Sequence, residues 1–173
     1  MSLQNKQPES KELLAKYWIS GKKFHTKTFS FIKKYQNKII VIKYGGYALT
    51  KPALLKSFAK NISLLNQLGI KVIVVHGGGP QIEKELKKRK INNEEYQGLR
   101  VTTKSVLGVV KRILSHDLNK LISDEIKKNG GKTKRLNGVS TKVLKAKIAM
   151  NGNIGFVGEP RGIDKNLIMK SLN

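Results

Sequence analysis

The stretch from residue 38 to residue 80 limits the fold more than any other part of the chain. "KIIVIKYGG" is a β-branched run that breaks into Gly45 and Gly46, and "IKVIVVHGGGP" is a second that breaks into Gly77, Gly78 and Gly79. Between them Pro52 opens a helical pattern in which Leu55, Phe58, Ile62, Leu65 and Leu68 recur at spacings of three and four, and Gly69 closes it. Pro80 opens another helix, with Ile82 and Leu86 on one side and Glu83–Lys87 and Glu85–Arg89 as i,i+4 pairs. Strand, helix, strand, helix at these lengths predicts a right-handed parallel βαβ unit. The strands, expected at 38–43 and 70–75, are apolar throughout, which suits a sheet with helices over both faces. The expected fold class is therefore α/β, an open and mostly parallel sheet with helices on both faces.

The rest of the chain is read against that unit. Residues 1–37 form a basic extension, expected to be partly helical around Leu13, Leu14, Tyr17 and Trp18 and again around Phe31, Ile32 and Tyr35. Residues 38–173 form the domain. "YQGLRVTT" falls in a loop or hairpin over 91–103, and a long helix follows over 104–128 until Asn129, Gly130 and Gly131 stop it. Short strands come after it, with Asn151-Gly152 as a hairpin turn. The segment after that turn is expected to be poorly anchored and to expose apolar surface.

Composition narrows the partners. The 173 residues include no cysteine, which removes disulfides and thiolate chemistry and fits a reducing cytoplasm. No apolar run is long enough for a membrane helix, and the polar start "MSLQNKQPES" is no secretory signal. Lys and Arg number 35 against 11 Asp and Glu, a formal net charge of +24. Such a field attracts phosphates and other anions. The basic residues are scattered along the chain and not interleaved with aromatics, so an anionic small ligand is favoured over nucleic acid.

In open α/β folds ligands sit at the carboxyl ends of the parallel strands, where both glycine clusters fall. Glycine lets backbone N–H groups approach an anion, and the helix start behind it adds a favourable dipole. Lys43 ends its strand at the same edge, where an ammonium would neutralise charge on a transferring phosphoryl group. The simpler reading is that the glycines only make tight turns; two clusters at adjacent strand ends favour phosphate or carboxylate binding. Neither cluster has the spacing of a P-loop or a dinucleotide fingerprint. His76 is read as a strand-end residue that orients the glycine turn, and the three histidines are too scattered for a metal site. Arg100 is either a bidentate carboxylate binder on a loop or an ordinary surface arginine, and spacing does not choose between them.

"VIKYGG", "VVHGGGPQI", "GLRVT", the pair Asn119-Lys120 and "GFVGE" stand in an order that resembles the N-acetylglutamate kinases of the amino-acid kinase family, over residues 38–172. The resemblance implies an α/β/α sandwich that transfers the γ-phosphoryl group of ATP, with Mg2+, to the side-chain carboxylate of N-acetyl-L-glutamate in arginine biosynthesis. It also implies roles: Lys43 as the catalytic transition-state lysine, Gly45 and Gly46 at the phosphate, and Gly77, Gly78 and Arg100 at the substrate. The sequence departs from the family pattern in several places. "LNGVSTK" replaces a glycine-lysine-aspartate-glycine turn, "SHDLNK" replaces a glycine-rich approach, Tyr47 is bulky, and Thr103 stands where an acidic residue is common. No stretch resembles the family's nucleotide-binding half. The expectation is an acceptor-binding, truncated half-domain without its own nucleotide site, partnered by a homo-oligomer or by the other half. A non-catalytic binding or regulatory relative, or a basic nucleic-acid binder, is the alternative.

Overall fold

The structure, a computed structural model, describes residues 32–172. The helix expected around residues 13–18 lies outside the described residues; of the one expected around Phe31, Ile32 and Tyr35, residues 32–35 are described and are helical. Strands β1 (Ile39–Tyr44) and β2 (Lys71–His76) pair in parallel, in register from Ile39 opposite Lys71 to Tyr44 opposite His76. A single-turn 3-10 helix (Ala48–Thr50) and helix α1 (Pro52–Gln67) connect them, so the βαβ unit forms where the sequence places it. Pro52 sits at the start of α1, and Gly69, at φ +81°, takes the left-handed conformation that ends it. Leu55, Ala59, Ile62 and Ser63 form the buried face of α1.

Helix α2 (Gly79–Lys88) follows β2 directly and buries Ile82 and Leu86. A two-stranded antiparallel hairpin comes next, β3 (Glu95–Tyr96) and β4 (Leu99–Arg100). Its turn residues Gln97 and Gly98 both have positive φ, 50° and 74°, the mirror-image turn whose twist suits a hairpin. The predicted helix over 104–128 is continuous but not uniform. It runs as α3 (Lys104–Lys111), a π-helical segment (Arg112–Leu118) and α4 (Asn119–Lys128). Thr103 caps its start by accepting a hydrogen bond from the Val106 N–H at 3.4 Å, and Gly130, at φ +83°, helps end it.

One core joins these elements: Leu55, Ala59 and Ile62 of α1 meet Ile82 and Leu86 of α2, Val106 and Val109 of α3, and Ile122 and Ile126 of α4. The Ser63 hydroxyl lies 2.8 Å from the Ala59 carbonyl and 2.9 Å from that of Ile126, which ties α1 to α4 without leaving a buried polar atom alone. Ile42, Val72 and Val74 pack on this core from the sheet. The opposite face of β1 differs from the fully covered strand that its composition suggests. Ile39 is 41% exposed and Val41 63%, and Val75 on β2 is 52% exposed. The α/β class stands, and burial in β1 alternates from residue to residue.

The last part of the described chain forms an antiparallel pair, β5 (Leu144–Ile148) and β6 (Gly158–Ile163), followed by helix α5 (Lys165–Ser171). The hairpin is the expected one, but its connection spans residues 149–157 and is not a two-residue turn at Asn151-Gly152. The reason is an anchor inside that connection. Ile154 is fully buried, the Thr102 N–H donates to the Ile154 carbonyl at 2.9 Å, and the Phe156 N–H donates to the Thr102 carbonyl at 2.8 Å. Gly155, at φ +71°, lies so close to the Thr102 carbonyl that a Cβ would collide with it. The segment is thus better anchored at this point than expected. Beyond the anchor, Leu144, Ile148 and Ile163 are exposed as anticipated.

Candidate functional site

Parallel pairing of β1 with β2 brings the two glycine turns side by side. Tyr44 lies opposite His76, and the Gly77 N–H donates to the Tyr44 carbonyl at 3.3 Å, so the ladder runs into the turns themselves. Backbone then packs on backbone. A Cβ on Gly46 would lie 2.9 Å from the Gly78 nitrogen and 3.1 Å from the Gly79 nitrogen. A Cβ on Gly78 would meet Leu118 Cδ1 at 2.5 Å and Leu114 Cδ2 at 2.8 Å. Glycine at 46 is therefore required by the approach of backbone, and a side chain at 78 would have to displace Leu114 and Leu118. Gly45 and Gly79 border open space, and a Cβ at either would have nothing within 4 Å. Gly46 and Gly78 thus have a packing role, and Gly45 and Gly79 face open space.

The π-helical segment supplies the wall behind Gly78. Its wider turn brings Arg112 and Asp117, five residues apart, to 3.4 Å, and sets Leu114 and Leu118 against the glycine. Arg112 also lies 3.8 Å from Glu85 of α2, whose carboxylate accepts from Arg89 at 2.7 Å. The Arg89 hydrogen bond, helped by nearby positive charge, holds the Glu85 carboxyl below its usual range. Lys120, bonded to Asp124 at 2.5 Å, does the same for that aspartate.

Lys43 lies on the exposed face of β1 with Val41, in register with Val75 of β2. Among the described residues no carboxylate pairs with it, which leaves the ammonium available at the strand end. His76 keeps to the role expected of it: Nδ1 is 3.2 Å from the Gly77 carbonyl, inside the glycine turn. Arg100 is 19% exposed and held at both ends of its fork, donating to Asn93 Oδ1 and to Glu83 Oε1, the latter at 3.3 Å. Glu83 lies four residues into α2 from Gly79, about 6 Å along the helix axis. The structure thus packs Gly46 against Gly78 and Gly79, with Gly77 beside it. Lys43 lies on the strand that leads into the first turn, and Arg100 is bonded to Glu83 of α2, the helix that follows the second.

Sequence reasoning missed the groups that hold these residues. Gln81, in the first turn of α2, donates from Nε2 to the Gly46 carbonyl at 3.0 Å. Asn93 and Glu83 hold Arg100, and Leu114 and Leu118 back Gly78. Only Gln81 carried a signal, because a helix opened by Pro80 puts residue 81 within reach of the glycines before it. Asn119, of the Asn119-Lys120 pair, donates to the Leu136 carbonyl at 3.3 Å.

Two cavities lie at the hairpin and along the π-helical segment and α4. One, of about 260 Å³, is lined by Ile91, Asn92, Glu94, Val101, Thr103 and Ser105 beside the Arg100 hairpin. The other, of about 380 Å³, runs past His116, Lys120 and Asp124. Neither is lined by Lys43, by the glycine turns or by Arg100. Among the described residues no group of three His, Asp or Glu is placed to hold a metal ion, and no helix is long and apolar enough to cross a membrane.

Parallel strands that end in abutting glycine turns, one of them opening a helix, define an α/β protein of the type that takes its ligand at the strand ends. Comparison with known proteins makes the class specific. The sequence profile of the Amino acid kinase family matches residues 38–173, and the chain belongs to that family. It is 43% identical over 129 residues to the acetylglutamate kinase of Campylobacter curvus, covering 75% of this chain and 46% of the relative. It is 39% identical over 143 residues to the acetylglutamate kinase of Campylobacter fetus, covering 83% and 51%. The chain therefore spans about half the length of these curated relatives. Among solved structures, smu.665 from Streptococcus mutans superposes with a TM-score of 0.67 at 29% identity, covering 78% of this chain and 54% of that one.

Proposed function

We propose that the chain is the acceptor-holding part of an acetylglutamate kinase-type phosphotransferase, acting in arginine biosynthesis in the cytoplasm. The carrying observation is the contact of two glycine turns at adjacent parallel strand ends, in a chain whose similar relatives are acetylglutamate kinases. In this reading the side-chain carboxylate of N-acetyl-L-glutamate attacks the γ-phosphorus of ATP, bound with Mg2+. The bond from that phosphorus to the bridging oxygen breaks, and acyl phosphate and ADP leave. The chain's own contribution is positioning and charge. Gly77 and Gly78 line the acceptor side, Gly45 and Gly46 the phosphoryl side, and Lys43 offsets negative charge between them. Arg100 turns its fork from Glu83 and Asn93 to the substrate carboxylate. Neither cavity is lined by Lys43, the glycine turns or Arg100, and no group of three described carboxylates is placed to hold a metal ion, so in this reading the nucleotide and its Mg2+ are held by the partner. The reading includes a partner, either a further copy or a nucleotide-binding half.

Titration of the full chain with N-acetyl-L-glutamate at fixed salt tests it. Binding should weaken about tenfold or more in Arg100→Ala, since a charge-assisted fork is lost. Acyl phosphate, trapped as the hydroxamate, should not form with the chain alone. Equal binding by wild type and Arg100→Ala would remove the acceptor assignment. Turnover that disappears in Lys43→Ala would show a catalyst complete in this one chain.

A further inference from the structure

The bond between Gln81 and Gly46 joins positions 35 residues apart, and it is the one side-chain hydrogen bond to the first glycine turn among the described residues. Its chemistry is unambiguous, because a carbonyl oxygen only accepts, so the amide nitrogen of Gln81 must face it. Gly45 has open space where a side chain would be, and the Cβ position of Gly46 faces the backbone of Gly78 and Gly79. A turn of two glycines has little else to fix its peptide planes, since glycine crosses φ/ψ space at low cost. The peptide group is planar and trans, so holding the Gly46 carbonyl also sets the direction of the Tyr47 N–H. A carbonyl free to swing would present its negative end to any anion at the turn. One committed to Gln81 does not.

The other end of the same amide makes the arrangement costly. Gln81 Oε1 is buried with no hydrogen-bond partner. Leaving such an acceptor unpaired destabilises a fold, so stability alone does not favour glutamine here. Resting on the functional reading above, we infer that Gln81 is a positioning residue: it commits the Gly46 carbonyl to α2 and keeps the first glycine turn in a donor-presenting state against the second. The order of contact is continuous. Leu114 and Leu118 back Gly78, Gly78 backs Gly46, and Gln81, two residues after Gly79, grips the carbonyl of Gly46. The turns are thereby registered to α2, the helix that also carries the Arg100 partner Glu83.

Gln81→Met and Gln81→Ala in the full chain test this. Methionine fills nearly the same volume without a donor, and it keeps the test alive if the alanine variant fails to fold. In both variants the Gly46 carbonyl-carbon resonance should move upfield, and the amides of Gly45, Gly46 and Tyr47 should broaden by exchange on the μs–ms timescale. Affinity for N-acetyl-L-glutamate should fall about tenfold in Gln81→Met while the urea midpoint stays near wild type. If methionine restores both affinity and sharp resonances, the role is packing and the inference fails. If wild type binds no N-acetyl-L-glutamate, the functional reading fails, and the resonances still decide. Broadening in both variants then supports the clamp, and unchanged spectra overturn it.

Discussion

Single atoms decide what several of these positions tolerate. Tyr44 is 8% exposed, stacks on Phe58 with ring centroids 3.8 Å apart, and has a buried hydroxyl with no partner. Tyr44→Phe should therefore raise stability, by about 1 kcal/mol, because it removes an unpaired polar atom and keeps the stack. Burial pushes the phenol pKa up. A raised folded value means that stability present below the unfolded pKa, about 10, is lost as pH climbs past it. Urea midpoints at neutral pH and near pH 10.5 should show the phenylalanine variant gaining more at the higher pH; an equal difference at both would refute the burial argument. Glycine gives a second contrast. Gly78→Ala should cost about 1–3 kcal/mol through overpacking on Leu114 and Leu118. Gly45→Ala, bordered by open space, should stay within about 0.5 kcal/mol of wild type. Denaturant curves of the two variants check this ordering. That glycines cluster at both strand ends was legible in the sequence. Which of them are fixed by contact was not, since Gly46 touches Gly78 only after β1 and β2 have paired.

Among the elements, the parallel pair, α1 and α2 follow from period, Pro and Gly alone, because each is written locally. The π-helical segment does not. Val106 and Val109 before it and Ile122 and Ile126 after it keep a helical spacing, and a widened turn within a long amphipathic run leaves no mark that a period of 3.6 detects. The Asn151-Gly152 signal located a hairpin correctly and its turn incorrectly, because buried Ile154 fixes the connection by a tertiary contact with Thr102. Glu85 pairs with Arg89 at the end of its own helix and with Arg112, which ties α2 to the π-helical segment. Glu85 is depressed in the folded state. Its contribution is present above the unfolded glutamate value, about 4.3, and fades as pH falls through the lower folded value. Glu85→Gln should accordingly be less stable than wild type at pH 6, with the gap closing toward pH 3. A gap that persists in acid would mean the carboxylate charge contributes nothing.

At the scale of the molecule, the exposed row on β1 and β2 has consequences for solution behaviour. Ile39, Val41 and Val75 form apolar surface beside Lys43 on a sheet face, the kind of surface that promotes association. The double variant Val41→Thr, Val75→Thr keeps β-branched side chains and should sediment with less self-association at equal concentration, with an unchanged unfolding midpoint. Undiminished association would place the contact elsewhere. The glycine contact also bears on how the chain reaches this structure. Side chains on a strand alternate with period two, so sliding β1 by one residue against β2 would carry Ile39, Val41 and Lys43 onto the core side. The same slip would bring Gly45 or Tyr47 opposite the Gly78 nitrogen in place of Gly46. Gly45, also without a Cβ, would fit there, and Tyr47 would collide. Register is thus set by burial along the strands and, against the slip that carries Tyr47 to that place, by backbone contact at their ends as well.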